Sequence, residues 1–455
     1  MNQLDTQVKE LLHKDKENVW HHISKYNDHI HPLIVKEASG AWITGHDGKQ
    51  YLDGMAGLWC VNVGYGREVL AQAAYDQIKK MAYMSMTQSH PPAIELAVKL
   101  NHLLDDDYVF FYSNSGSDAN EVAIKIARQY HQQKNGEPRY KIISRYRAYH
   151  GSSMGALSAT GQALRKYKYE PLSTGFLHVA PPDNYRKPQG MSEKEYNLQK
   201  AREIEEVIIW EQKETVAAVM MEPLITGGGI LIPHPIYVQE MEKICKRHGV
   251  LLIIDEVICG FARTGKMFGH MHYGIRPDMI TMAKGLTSGY LPLSVTAVKK
   301  GIYDAFQKQA DHSHLRHVNT FGGNPAACAV ALKNIEIMEQ EELVERAALM
   351  GKELLEKLEK FRDHPYVGDI RGLGLLVGIE LVEDKTTKKP IRSNVIATIM
   401  NECKEKGLII GRNGETVAGY NNVLTLCPPL TISEDELMYI INTLEQVLHD
   451  NRNLL

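Results

Sequence analysis

The sequence predicts an α/β protein: a large domain built on a mostly parallel central sheet, with a smaller α+β domain. Three observations predict it. Short apolar runs alternate with helical patterns between Tyr108 and Met282, the signature of parallel strands covered on both faces. Polar residues stand at the carboxyl ends of these runs, at Ser113–Ser117, Glu222, Asp255 and Lys284, where open α/β sheets collect ligands. The chain has 455 residues, 44% hydrophobic and 24% charged, too long for one core and globular in composition.

In chain order, residues 8–30 read as a polar, His-rich amphipathic arm. A hairpin pattern follows, from Gly40–Ile43 through a turn at His46–Gly48 to Tyr51–Leu52. Gly54, Gly57, Gly64 and Gly66 punctuate an irregular segment, and helical periodicity returns at Glu68–Lys80 and Pro92–Leu104. The alternating region then runs Val109–Tyr112 (strand), Ala119–Gln133 (helix), Tyr140–Ser144 and Ala217–Met221 (strands), Tyr237–His248 (helix), Val250–Ile254 and Met279–Met282 (strands). Residues 180–200 are polar and Pro-rich and read as a surface excursion. One long helical pattern runs from Pro325 to about Lys360, and Leu373–Glu380 and Val423–Leu426 read as strands. The expected division is an N-terminal arm with part of the small domain at 1–65, the large domain at 66–325 and the rest of the small domain at 326–455.

The net charge is −3, so no broad cationic field attracts a polyanion and nucleic acid is not an expected partner. The six cysteines, Cys60, Cys245, Cys259, Cys328, Cys403 and Cys427, are scattered without metal spacing and read as free thiols in a reducing compartment. The 20 histidines show no convergent ligand set, and no metal is expected. Charges run through the first residues and no long apolar stretch occurs, so the expectation is a cytoplasmic protein without a membrane span.

Asp255 follows Val250–Ile254, a wholly apolar run. A carboxylate ending a buried strand needs a partner, which is either a structural ion pair or a cationic ring nitrogen. Lys284, in Met282-Ala283-Lys284-Gly285-Leu286, is either a surface lysine or an amine nucleophile toward a carbonyl that later shuttles a proton. Ser113–Glu121 joins a strand to a helix; Gly116 and Ser117 there either cap the helix or surround a phosphate with their N–H groups. The glycine spacing of a dinucleotide fingerprint is missing. Tyr149 could stack on a flat ring, Val257 could pack on its opposite face, and Glu222 ends another strand.

These segments resemble the class III aminotransferases, pyridoxal-phosphate enzymes of fold type I. The resemblance rests on SNSGSDANEVAIK at 113–125, YHG at 149–151, EP at 222–223, DEVICGFARTGKMF at 255–268, MAKGLTSGYLPL at 282–293 and NTFGGNPAACA at 319–329. It implies that Lys284 carries pyridoxal 5'-phosphate as an imine and that Asp255 pairs with the pyridine nitrogen. Gly116 and Ser117 would bind the phosphate. Tyr149 and Val257 would sandwich the ring, with Glu222 near its hydroxyl. Thr320 would reach the phosphate of a neighbouring subunit's cofactor, which implies a homodimer with shared sites, or a tetramer built from it.

Within the class, GMAGLWCVNVGYGR at 54–67 resembles the omega-amino-acid:pyruvate enzymes, and GLIIGRNGETVAGYNNVLTLCPPL at 407–430 resembles the taurine:pyruvate branch. This implies Trp59 and Leu58 at the substrate pocket, beside Tyr149. Gly411 stands where many relatives carry a substrate-binding arginine, so the adjacent Arg412 is the candidate. The implied reaction passes the amino group of taurine, β-alanine or a similar amine to pyruvate, giving L-alanine. The alternatives are diamines or 4-aminobutyrate as donors, with 2-oxoglutarate or pyruvate as acceptor.

Overall fold

Seven strands form the central sheet: β1 (Tyr108–Ser113), β2 (Lys141–Arg145), β3 (Phe176–Val179), β4 (Val216–Met221), β5 (Leu251–Asp255), β6 (Met279–Met282) and β7 (Ser294–Lys299). Their order is β1-β7-β6-β5-β4-β2-β3. All run parallel except β7, which is antiparallel to both its neighbours. This computed structural model describes residues 3–23, 32–136, 138–308, 310–413 and 421–452.

The pleat sends alternate side chains to opposite faces. Val219, Met221, Leu252 and Ile254 pack against helices Glu193–Trp210 and Pro235–His248. Ala218, Met220 and Ile253 pack against helix α1 (Gly116–Asn135) through Val122, Ala123 and Ala127. Both faces are therefore dry, and each buried branched side chain contributes about 1.5–3 kcal/mol. The strand ends stay polar because the chain must turn there.

Two smaller sheets lie outside this layer. One joins Val35–Ser39, Trp42–Gly45 and Gln50–Asp53 to Leu408–Ile409, so chain segments far apart in sequence share one sheet. The other orders Val367–Gly372, Val377–Asp384, Val423–Leu426 and Gly411–Asn413.

Several elements differ from expectation. The stretch read as a surface excursion contains the start of helix Glu193–Trp210, capped reciprocally by Ser192 and Glu195, with Tyr196 and Asn197 buried. The long helix after Pro325 is two helices, Pro325–Gln340 and Leu343–Leu358, broken where Glu342 adopts φ 49°. The run Leu373–Glu380 begins in a turn at Gly374, and its strand starts at Val377. The N-terminal arm is helical over Gln3–Asn18; its continuation through residues 24–31 lies outside the described residues. Strands β3 and β7 were not anticipated.

Candidate active site

A cavity of ≈ 410 Å³ opens at the carboxyl ends of the central strands. Gly116, Ser117, Tyr149, Glu222, Asp255, Val257 and Lys284 all line it. Seven residues spread over the sequence are thus gathered by one sheet edge.

Asp255 ends β5 and is 3% exposed. Its Oδ1 accepts the Val257 N–H at 3.0 Å, and its Oδ2 accepts Asn120 Nδ2 at 2.8 Å. His150 Nδ1 stands 2.8 Å from the same Oδ2, which places the imidazole proton on Nδ1. Asn120 is itself held: Thr281 Oγ1 donates to its Oδ1 at 2.7 Å, and its Nδ2 also donates to the His150 carbonyl at 2.6 Å. The Val257 N–H, Asn120 and His150 hold this carboxylate, and no lysine or arginine forms an ion pair with it among the described residues. Asp255 also lines the cavity, where a cationic group that enters would meet it.

Lys284 follows β6 and opens a short 3₁₀ turn with φ 43°. A non-glycine residue in this left-handed region is uncommon and costs about 1–3 kcal/mol. Its amine makes no hydrogen bond or ion pair among the described residues, although the cavity holds two carboxylates. A fixed, unpaired amine opposite a buried carboxylate suits chemistry on a carbonyl compound that also carries a basic ring nitrogen.

Ser115 caps α1. Its Oγ accepts the Asp118 N–H at 3.2 Å, and the Asp118 carboxylate accepts the Ser115 N–H at 3.0 Å. The cap and the phosphate reading are thus compatible. The N–H groups of Gly116 and Ser117, in the first turn, take no partner among the described residues, and helix starts of this kind bind phosphate. A Cβ on Gly116 would lie 3.0 Å from both Val257 methyl groups, and one on Gly151 only 2.4 Å from Ser117 Oγ. The two glycines keep this cradle open.

Glu222 is 3% exposed at the end of β4. Burial pushes its carboxyl above the usual range. It accepts the N–H groups of Tyr149 at 3.3 Å and Thr226 at 2.9 Å, and bonds the Thr226 hydroxyl. Tyr149 is fixed further by a 2.9 Å contact from its hydroxyl to Ser152 Oγ.

Four expected residues lie away from the cavity lining. Trp59, with φ 62°, is 7% exposed and packs with Met55, Leu224, Ile230 and Cys427. Leu58, its neighbour, is 72% exposed. Arg412 is exposed on the strand Gly411–Asn413, because strand alternation turns the buried Asn413 inward, where it bonds the Thr226 carbonyl at 3.0 Å. The polar tail after it, residues 414–420, lies outside the described residues. Thr320 is exposed, and its carbonyl accepts the Tyr83 hydroxyl at 2.9 Å. Sequence reasoning missed Asn120, His150 and Thr281 as supports of Asp255. An asparagine on the apolar face of α1 was the available signal for Asn120. Among the described residues, no group of His, Cys, Asp and Glu could hold a metal, and no helix is long and apolar enough to cross a membrane.

Comparison with known proteins gives a consistent answer. The family model described as aminotransferase class-III matches residues 23–448. The chain is similar to the aminotransferase YhxA of Bacillus subtilis, 59% identical with 96% of each chain covered. It is also similar to taurine–pyruvate aminotransferase of Bilophila wadsworthia, 41% identical with 95% of each covered. The crystal structure of a Bacillus anthracis aminotransferase superposes with TM-score 0.95 at 57% identity, covering 99% of this chain and 100% of that one. Class III aminotransferases use pyridoxal 5'-phosphate. The site here fits that group by the chemistry of its donors: a free amine, a buried carboxylate, unpaired first-turn amides and a flat aromatic side chain. The chain belongs to the class III aminotransferases, pyridoxal-phosphate-dependent transferases of fold type I that exchange an amino group between an amine and a keto acid.

Proposed function

We propose that this enzyme passes the amino group of a short omega-amino acid, such as taurine or β-alanine, to pyruvate, giving L-alanine and the aldehyde of the donor. The observation that carries the chemistry is the unpaired Lys284 amine in one cavity with the buried Asp255, which Asn120 and His150 hold in place. The similarity to a taurine–pyruvate aminotransferase over 95% of the chain supports the donor and acceptor.

In this reading Gly116 and Ser117 hold the cofactor phosphate, and Tyr149 and Val257 flank its ring. Asp255 would keep the ring nitrogen protonated, and Glu222 would face the side of the ring hydroxyl. When bound, pyridoxal phosphate supplies an electron sink for negative charge at the amino-bearing carbon. Lys284 Nζ anchors the cofactor, then takes the proton from that carbon and returns it on the other side of the exchange. Trp59 and Leu58 shape the donor end. Thr320 serves the cofactor phosphate of a second subunit in a homodimer. The exposed apolar Val318 and Phe321 beside it, 77% and 62% exposed, support an interface there. A cytoplasmic enzyme suits the free cysteines.

The purified protein is expected to show a visible absorbance band that borohydride removes. Lys284→Ala is expected to lack the borohydride-sensitive band and to lose at least about 10⁴-fold in kcat. A wild-type protein without the band would end the proposal. Product analysis should find alanine from pyruvate; turnover with 2-oxoglutarate and none with pyruvate would overturn the acceptor.

A further inference from the structure

We infer that Arg165 recognises the acid group of the donor, an inference that rests on the omega-amino-acid reading above. Arg165 lies on the short helix α2 (Ala163–Lys166) and is partly buried. Its guanidinium carbon sits 4.7 Å from the ring centroid of Tyr149, a wall of the cavity. Its Nε donates to Gln162 Oε1 at 3.0 Å, and Gln162, 2% exposed, is anchored by its own 3.0 Å bond to the Arg147 carbonyl. The guanidinium plane is therefore fixed at its stem and on its face. Its two terminal nitrogens have no partner among the described residues.

The charges of the cavity require such a group. The lining carries two carboxylates, Glu222 and Asp255, and one cation, Lys284, which the chemistry consumes. A sulfonate or carboxylate entering there needs a further positive charge. The other nearby arginines are committed elsewhere. Arg147 pairs with Asp183 at 2.7 Å. Arg145 and Arg263 are fully buried and bond main-chain carbonyls. Arg412 is exposed on its strand. Arg165 offers a planar fork that matches either acid group, and stacking on Tyr149 pre-sets its orientation.

The test compares wild type, Arg165→Gln and Arg165→Lys with taurine, β-alanine and propylamine as donors to pyruvate. Arg165→Gln should lower the ratio of kcat/KM for acid donor over propylamine by about 10–100-fold, mainly through KM, and Arg165→Lys should recover part of it. Calorimetric titration of each holoenzyme with ethanesulfonate and with propionate reads the site without turnover; Kd should rise about 10-fold or more in Arg165→Gln. Equal losses for all three donors would assign Arg165 a structural role through Tyr149 and overturn the inference, as would unchanged anion binding. A wild type that converts propylamine but neither acid donor would sink the omega-amino-acid reading, while the titrations still decide Arg165.

Discussion

Asp255 and Lys284 are legible in the sequence because each breaks a local rule: a carboxylate ends a wholly apolar strand, and a lysine follows a short buried one. Asn120 gives a weaker signal, an asparagine on the apolar face of α1, and Thr281 gives none. They are ordinary polar residues until the fold brings α1 and β6 together, so their service to Asp255 is a tertiary fact. Replacing Asn120 by Ala should remove one of the donors on the carboxylate and weaken cofactor retention by about 10-fold, measured as release on dialysis followed by absorbance. Gly151→Ala tests the cradle from the other side. The backbone there has φ 142°, and the added methyl would meet both Ser117 Oγ and Ser117 Cα. Overpacking of this kind costs about 1–3 kcal/mol, so the variant is expected to hold cofactor at least about 5-fold more weakly in the same assay. The resemblance implies Trp59 and Arg412 at the substrate end; the strained turn around Gly57–Trp59 buries the indole, and strand alternation exposes the guanidinium.

At the scale of elements, apolar runs reveal strands only when both faces are apolar. Strand β7 escaped because Ser294 and Thr296 interrupt its pattern, yet both are fully buried; Thr296 satisfies its hydroxyl on the Ala119 carbonyl at 2.9 Å. Strand β3 escaped because it is a four-residue edge strand containing His178. That histidine carries a testable consequence. Burial, with Lys166 nearby, lowers its pKa from 6.5 to about 4, and its Nε2 lies 3.1 Å from the Thr160 carbonyl. The unfolded chain therefore binds the proton first as pH falls. The stabilising contribution is complete above pH 6.5 and is lost progressively toward pH 4. Urea titrations at pH 7 and pH 5 should show wild type losing up to about 2 kcal/mol more than His178→Gln between them. An identical loss in both proteins would place the pH dependence elsewhere.

For the whole molecule, a buried ionic network ties the central sheet to the sheet that holds Val367–Gly372 and Val377–Asp384. Arg147 at the end of β2 pairs with Asp183, which also meets Arg186 at 3.4 Å. Arg186 bonds Glu380, and Arg371 stands 2.8 Å from the same carboxylate while donating to the Gly229 carbonyl at 2.6 Å. Glu380 is 0% exposed. Deleting it leaves Arg186 with Asp183 and Arg371 with Asp369 at 2.9 Å, so Glu380→Ala should cost about 1–3 kcal/mol in urea denaturation. Length and composition predict more than one core, but nothing local reveals which charges join the sheets. The shared sheet at the chain's two extremities has a further implication. Lys49 donates to the Glu405 carbonyl, 356 residues away, and Trp42 to the Glu436 carboxylate, 394 residues away. During synthesis the hairpin must wait for a strand that emerges some 356 residues later. Contacts of such range form late and slowly. The central sheet, whose strands lie within residues 108–299, thus matures first, and a nascent chain would assemble the strand ends that line the cavity before the sheet around Gln50–Asp53 is complete.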